Sequence, residues 1–312
     1  MTMPLQNLLT SKDPIQALLD RPDDAVLAII AGVEGPSYRP VGAMMAVFAG
    51  GDRTGTLSSG CIESDIALHA QEVLRDGRAQ MLRYGRGSPF IDIQLPCGGG
   101  LDILLVPRPD TKVLSEVLNR RARRVPCTLT IDVESSAMSV QEAGETALQG
   151  GVLSVRFDPE VRFLVFGKGP EATTFASLVH AAGYPSTLMS PDDETLEIGK
   201  AAGCDVRELG SKAFPEGLSA DDRTAVVLFF HDHDWEPLLL AGALNTDAFY
   251  IGSQGSQRAR DARLAELSAM GISPDQLARL TGPVGLIPSA RDPGTLAVSV
   301  LAEILATAKA RS

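Results

Sequence analysis

Hydrophobic positions along this chain fall into two textures. In the first half, short apolar runs stand apart among glycines and polar stretches. AVLAIIA, beginning at Ala25, and AMMAVF at 43–48 are continuous and short, the signature of buried strands rather than surface helices. AQMLRYG (79–85) and LDILLVP (101–107) read the same way. From Asp65 to Leu74 the apolar residues Ile66, Leu68, Ala70, Val73 and Leu74 recur at helical spacing, and Gly77 closes that helix. A further helix is predicted over 111–124, with strands at 127–133 and 152–157 and polar sequence between them.

The pattern changes at Asp158-Pro159, where strands and helices begin to alternate. VRFLVFG, YPSTLMS, AVVLFF and AFYIG read as strands, and AVVLFF is the third of them in order. Helices are predicted over 170–183, 235–244, 256–270 and 293–308, the last with Asp292 as its N-cap and Pro293 in its first turn. Such alternation builds a parallel, doubly wound sheet. The expected fold is therefore α/β: a mixed α+β domain over 1–158, then a Rossmann-like domain over 159–312.

Length supports two cores, since 312 residues exceed one ordinary domain. Acidic residues outnumber basic ones 39 to 28, a net charge of −11. That balance argues against nucleic acid or an anionic membrane as partner, because both are bound through Lys and Arg. The first 20 residues lack a charged start and an apolar core, and no run approaches the span of a membrane helix, so a cytoplasmic protein is expected. The cysteines Cys61, Cys97, Cys127 and Cys204 have no paired spacing typical of zinc, and a reducing compartment is expected to keep them free.

Chemistry concentrates in five loops. FGKGPEA sets Gly167, Gly169 and Ala172 in a G-x-G-x-x-A pattern between a strand and a helix, the setting of a dinucleotide turn, with Asp192 as its candidate ribose acid. Pro170 removes one donor beside that turn. FFHDHD places His231, Asp232 and His233 at a strand's carboxyl end, as a ligand-contacting loop or simply a polar cap. IGSQGSQRAR gathers Gly252, Gly255, Ser256 and Arg258 at a helix start, where free N–H groups and arginine suit an anion. Cys61 lies in a small-residue loop before a helix whose first turn holds Glu63 and Asp65, and Cys97 is followed by Gly98, Gly99 and Gly100. A helix start lowers a thiol's pKa and neighbouring carboxylates raise it. His69, the only histidine of the first domain, has no evident orienting partner, which counts against a cysteine-dependent hydrolase. Cys127 and Cys204 read as structural.

The stretches GPSYRPVGAMM (35–45), GTLSSGCIE (55–63), LRYG (82–85), LPCGGGLDILL (95–105), HDH (231–233), YIGSQGSQR (250–258) and ARDPGTLAVSVLAEI (290–304) together resemble the XdhC/CoxI family. Its members are maturation factors of molybdenum hydroxylases such as xanthine dehydrogenase. The resemblance implies a chaperone, not an enzyme. Such a protein binds molybdenum cofactor, as molybdopterin or a dinucleotide form, holds it while a cysteine desulfurase installs the sulfido ligand, and delivers it to the apoenzyme. Molybdenum-cofactor biosynthesis proteins would be further partners, and a homodimer is the expected assembly. Cys61 and Cys97 are the implied molybdenum contacts, with Gly60, Glu63, Ser37, Tyr38, Arg39 and the run Gly98–Gly100 lining the same site. Gly167, Gly169, Asp232, His233, Gly255, Ser256 and Arg258 are the implied contacts of the second domain. Thiolate suits a soft metal centre, and glycine-lined loops admit a large cargo. Ser59, Pro96, Gln257, Ala259 and Ile287-Pro288 depart from the family pattern. The rival is an NAD(P)-dependent oxidoreductase using the 167–172 turn.

Overall fold

A computed structural model of the chain describes residues 13–58, 60, 62–88, 98–231 and 233–311, with the backbone alone at His233. It divides into two compact units at Pro159/Glu160.

The first unit begins with α1 (Pro14–Asp20) and strands β1 (Ala25–Glu34), β2 (Met44–Phe48) and β3 (Arg53–Gly55). Helix α2 (Glu63–Asp76) follows, then β4 (Gln80–Gly85), β5 (Gly100–Pro107) and α3 (Thr111–Ala122). The chain then runs through β6 (Cys127–Asp132), β7 (Met138–Gln141), β8 (Ala147–Gln149) and β9 (Val152–Phe157). Five strands form one antiparallel sheet in the order β3-β2-β1-β5-β4, and four form another in the order β7-β6-β9-β8. The continuous run in β1 is explained by burial on both faces. Ala25, Leu27, Ile29 and Ala31 face a core shared with α1, α3 and the second sheet. Val26, Ala28 and Ile30 face a separate core under α2. Alternate residues of one strand thus seed two cores.

Helix α2 ends as expected at Gly77, which is left-handed with φ 68. Its buried row is Ile66, Ala67, Ala70 and Val73, whereas Leu68 is 62% exposed and lies off the predicted stripe. The polar sequence after β6 is not loop alone: it holds β7, with one solvent-facing side, and the short, mostly exposed β8.

The second unit holds β10 (Arg162–Gly167), α4 (Pro170–Ala181), β11 (Ser186–Ser190), α5 (Asp193–Ala201) and β12 (Asp205–Glu208). Strand β13 (Thr224–Phe229) leads through a 3-10 turn (His233–Trp235) to α6 (Glu236–Leu244) and β14 (Tyr250–Ser253). Helices α7 (Gln257–Ala269) and α8 (Pro274–Leu277), strand β15 (Leu280–Thr281) and helix α9 (Pro293–Arg311) complete it. The six strands are parallel in the order β12-β11-β10-β13-β14-β15. In order of appearance this is 3-2-1-4-5-6, the doubly wound arrangement whose direction reverses between its first and fourth strands. AVVLFF is therefore the fourth strand, not the third, because α5 and β12 intervene. Helix α9 is the one described helix long and apolar enough to cross a membrane. It instead packs Ala297, Val300, Leu301, Ile304 and Ala308 into the core it shares with α4. Asp292 caps it by accepting the Thr295 N–H at 2.8 Å.

Candidate functional site

Antiparallel register brings three loops of the first unit to one end of the five-stranded sheet. β1 ends at Glu34 opposite Gly100, the first residue of β5, and Gly85 at the end of β4 also pairs with Gly100. β2 starts and β3 ends at that same end, with Met45 opposite Gly55. The loops 35–43, 56–62 and 86–99 therefore leave the sheet together. Positions 61 and 97 fall in two of them, although Cys61 and Cys97 themselves lie outside the described residues.

Two of these loops are in intimate contact. A Cβ on Gly99 would run into the backbone oxygens of Pro36 and Glu34. On Gly100 it would come within 2.5 Å of the Arg83 Nη2. Arg83, on β4, donates to Asp102 at 2.9 Å, to Glu34, and to the Arg86 carbonyl at 2.8 Å. One guanidinium thus ties the ends of β1, β4 and β5. Gly98 (φ 70) and Gly60 (φ 103) are open, with nothing among the described residues near an added Cβ. Ser37 turns inward along its own loop, donating to the Arg39 carbonyl at 2.7 Å. Tyr38 is 60% exposed, and Arg39 is an exposed cation with no ion pair among the described residues.

Glu63 has a task the sequence did not reveal. Its side chain is buried at the start of α2. Its carboxylate accepts the Thr56 hydroxyl at 2.6 Å, the Ser58 N–H and hydroxyl at 2.8 and 2.9 Å, and the Leu57 and Ile62 N–H groups at 3.1 and 3.2 Å. Burial works to raise its pKa. The hydrogen bonds from Thr56, Ser58 and the Gly60 backbone outweigh burial and hold it at about 2. Both oxygens are occupied within the chain, so Glu63 shapes the 56–62 loop as an internal template. Beside it, Asp65 accepts from the buried Tyr84 hydroxyl at 2.5 Å and lies 3.5 Å from His69, which also approaches Glu72.

In the second unit the glycine turn departs from a phosphate site. Gly167 is a packing position: a Cβ there would lie 2.5 Å from the Phe229 oxygen and 2.9 Å from Ala172. Gly169 (φ 84) donates its N–H to the Thr195 hydroxyl at 2.9 Å. Thr195 in turn donates to Asp192 at 2.6 Å, and Asp192 also caps α5 through the Thr195 N–H. The expected ribose acid is thus a helix cap, with its pKa lowered by its hydrogen bonds from Thr195. Pro170 supplies no donor, and Glu171 puts a carboxylate in the first turn, 3.3 Å from His231.

Sequence reasoning also missed a buried polar network. Glu236 and Arg263, 1% and 5% exposed, form a bidentate pair at 2.9–3.0 Å. Glu236 accepts from Ser253 at 2.5 Å, and Arg263 donates to the Gln254 carbonyl at 3.0 Å. These bonds fix the carboxyl end of β14, from which Gly255 (φ 138) and the N-cap Ser256 follow. Arg263 sits one turn from buried Leu267 on α7, and that spacing was the available signal. Arg258 is exposed at the helix start. Asp232 lies outside the described residues, as does the side chain of His233. Among the described residues no group of three His, Cys, Asp or Glu could hold a metal ion. Cys127 and Cys204 are buried and free, burial pushing both thiols up.

A mixed α+β unit with two cysteine-bearing loops thus precedes a parallel sheet of Rossmann order 3-2-1-4-5-6. Residues 163–304 match the XdhC Rossmann domain and residues 18–85 match the XdhC and CoxI family. The chain belongs to the XdhC/CoxI family. It is 36% identical over 283 residues to the molybdenum cofactor insertion chaperone PaoD of Escherichia coli K12, covering 90% of this chain and 82% of that one. It is 26% identical over 330 residues to a protein of Bacillus subtilis 168 described as a probable xanthine dehydrogenase subunit, covering 95% and 96%. A crystal structure described as a xanthine dehydrogenase from Bacillus halodurans shares the fold, with a TM-score of 0.77 at 20% identity over 99% of this chain and 97% of that one.

Proposed function

We propose that this chain is a molybdenum-cofactor chaperone. It binds the cofactor, holds it while a cysteine desulfurase installs the terminal sulfido ligand, and inserts it into a molybdenum hydroxylase apoenzyme. The observation that carries this reading is the convergence of the 35–43, 56–62 and 86–99 loops at one end of a rigid sheet. Two of those loops bear a cysteine, and the third carries an exposed arginine. Thiolates match the soft molybdenum–dithiolene unit, and Arg39 offers a cation to that anionic cargo. The relationship to an insertion chaperone from Escherichia coli supports the same cargo. We read the chain as a carrier: its loops supply binding groups, and turnover is left to the client.

The oxidoreductase alternative is disfavoured by the glycine turn itself. The Gly169 N–H is taken by Thr195, Pro170 has none, and Glu171 would oppose a pyrophosphate. Anaerobic purification with molybdenum cofactor tests the reading, with molybdenum and pterin counted per chain. Wild type is expected to retain both, Cys61→Ala to lose most of the molybdenum, and only loaded wild type to activate an apo-hydroxylase. Stoichiometric NAD with no pterin would refute the chaperone function.

A further inference from the structure

A cavity of about 340 Å³ opens at the carboxyl ends of β13 and β14, and the glycine turn does not line it. That volume lies within the range of small-molecule sites. Phe230, Val284, Ile287 and Leu296 give it apolar walls. Its polar lining comes from His231, Gln254, Ser256 and Ser289, and no carboxylate lines it among the described residues, in a chain with a net charge of −11.

Gln254 is the telling group. It is only 8% exposed, and its Nε2 donates to the Phe230 carbonyl at 3.2 Å. A carbonyl can only accept, so that bond fixes which end of the carboxamide is nitrogen. The Oε1 is left as an acceptor with no partner among the described residues. Arg263 holds the Gln254 backbone and Glu236 holds Arg263, so the group is locked in place. An acceptor held so firmly in a mostly buried position favours a ligand N–H. The next residues open α7. Ser256 accepts the Ala259 N–H at 3.2 Å, which leaves the N–H groups of Gln257 and Arg258 without helical partners. Arg258 is exposed, with no ion pair among the described residues. A 13-residue helix presents its positive end there.

We propose that this cavity is a binding subsite for a phosphorylated amino-heterocycle. The ring lies between the apolar walls, a ring or amino N–H donates to Gln254 Oε1, and the phosphate meets the first turn of α7 beside Arg258. Pterin phosphate and nucleoside monophosphate share this chemistry. That the occupant is part of the molybdenum cofactor rests on the function proposed above, whereas the chemical class follows from the cavity.

Calorimetric titration of the cargo-free full chain tests it, using a 6-substituted pterin phosphate, AMP, CMP, GMP and inorganic phosphate as separate probes. One pterin phosphate or one nucleoside monophosphate is expected to bind per chain, which of the two binds identifying the source. Gln254→Leu is expected to weaken that binding about tenfold. Ala259→Leu adds bulk to the lining without removing a hydrogen bond and is expected to abolish it, so it serves if Gln254→Leu does not fold. The proposal is overturned if no heterocycle binds, if inorganic phosphate binds as well as any of them, or if folded Ala259→Leu binds normally. Failure of wild type to retain molybdenum and pterin, with heterocycle binding intact, would refute the chaperone reading and leave the subsite standing.

Discussion

At the scale of single residues, Glu63 illustrates how a site motif can be mostly scaffold. Its carboxyl stands at about 2 against an ordinary 4.5. A depressed native pKa adds stability that is complete above the unfolded value and is lost as pH falls from about 4.5 through about 2. The shift corresponds to about 3 kcal/mol at most. Glu63→Gln replaces one acceptor oxygen by a donor facing Ser58 and Ile62, so it should destabilise the chain by about 1–3 kcal/mol at pH 7. The gap between wild type and variant in urea midpoint should narrow as pH drops through that window. A gap of constant size from pH 7 to pH 2 would show that the charge contributes nothing. The same logic explains why Glu63 looked like a ligand in the sequence: a carboxylate beside a cysteine and a glycine carries no mark of where its oxygens point.

Among elements, legibility followed burial. β1, β5, β10 and β13 were plain because they are buried on both faces, which forces unbroken apolar runs. β7, β8 and β12 were invisible because they bury little, and α5 buries only Thr195 and Gly199. The Glu236–Arg263 pair was nearly as hidden: Glu236 opens α6, where a charge normally reads as solvated, and only the one-turn spacing of Arg263 from buried Leu267 marked it as inward-facing. The glycine motif at 167–169 was legible as a turn but misleading about its use. Gly167→Ala forces a Cβ against the Phe229 oxygen and Ala172, and is expected to cost about 2 kcal/mol. Gly169→Ala meets only the Glu171 carboxylate, at an ordinary 3.9 Å, and the left-handed φ of 84, and is expected to cost about 1 kcal/mol. Thermal unfolding should rank Gly167→Ala below Gly169→Ala. The reverse order, accompanied by loss of a bound nucleotide, would restore the turn to a ligand role.

For the whole molecule, the two units have separate cores with no shared residue. Stability should therefore be partitioned, and a single unfolding free energy would misdescribe the chain. Glu236→Ala strands Arg263 uncompensated in the interior, a change that typically costs about 3–5 kcal/mol. Hydrogen exchange read by mass spectrometry should then quicken across β13, β14 and α7 while β1 and β5 keep their protection. Glu63→Gln should do the converse, loosening residues 56–74 and sparing the parallel sheet. Because Glu63 and Glu236 serve different cores and share no hydrogen-bond partner among the described residues, their effects should add in the double variant. If Glu236→Ala instead speeds exchange in β1 and β5 as much as in β13, the chain unfolds as one cooperative body, and cargo held at the N-terminal sheet end would stabilise the C-terminal sheet directly.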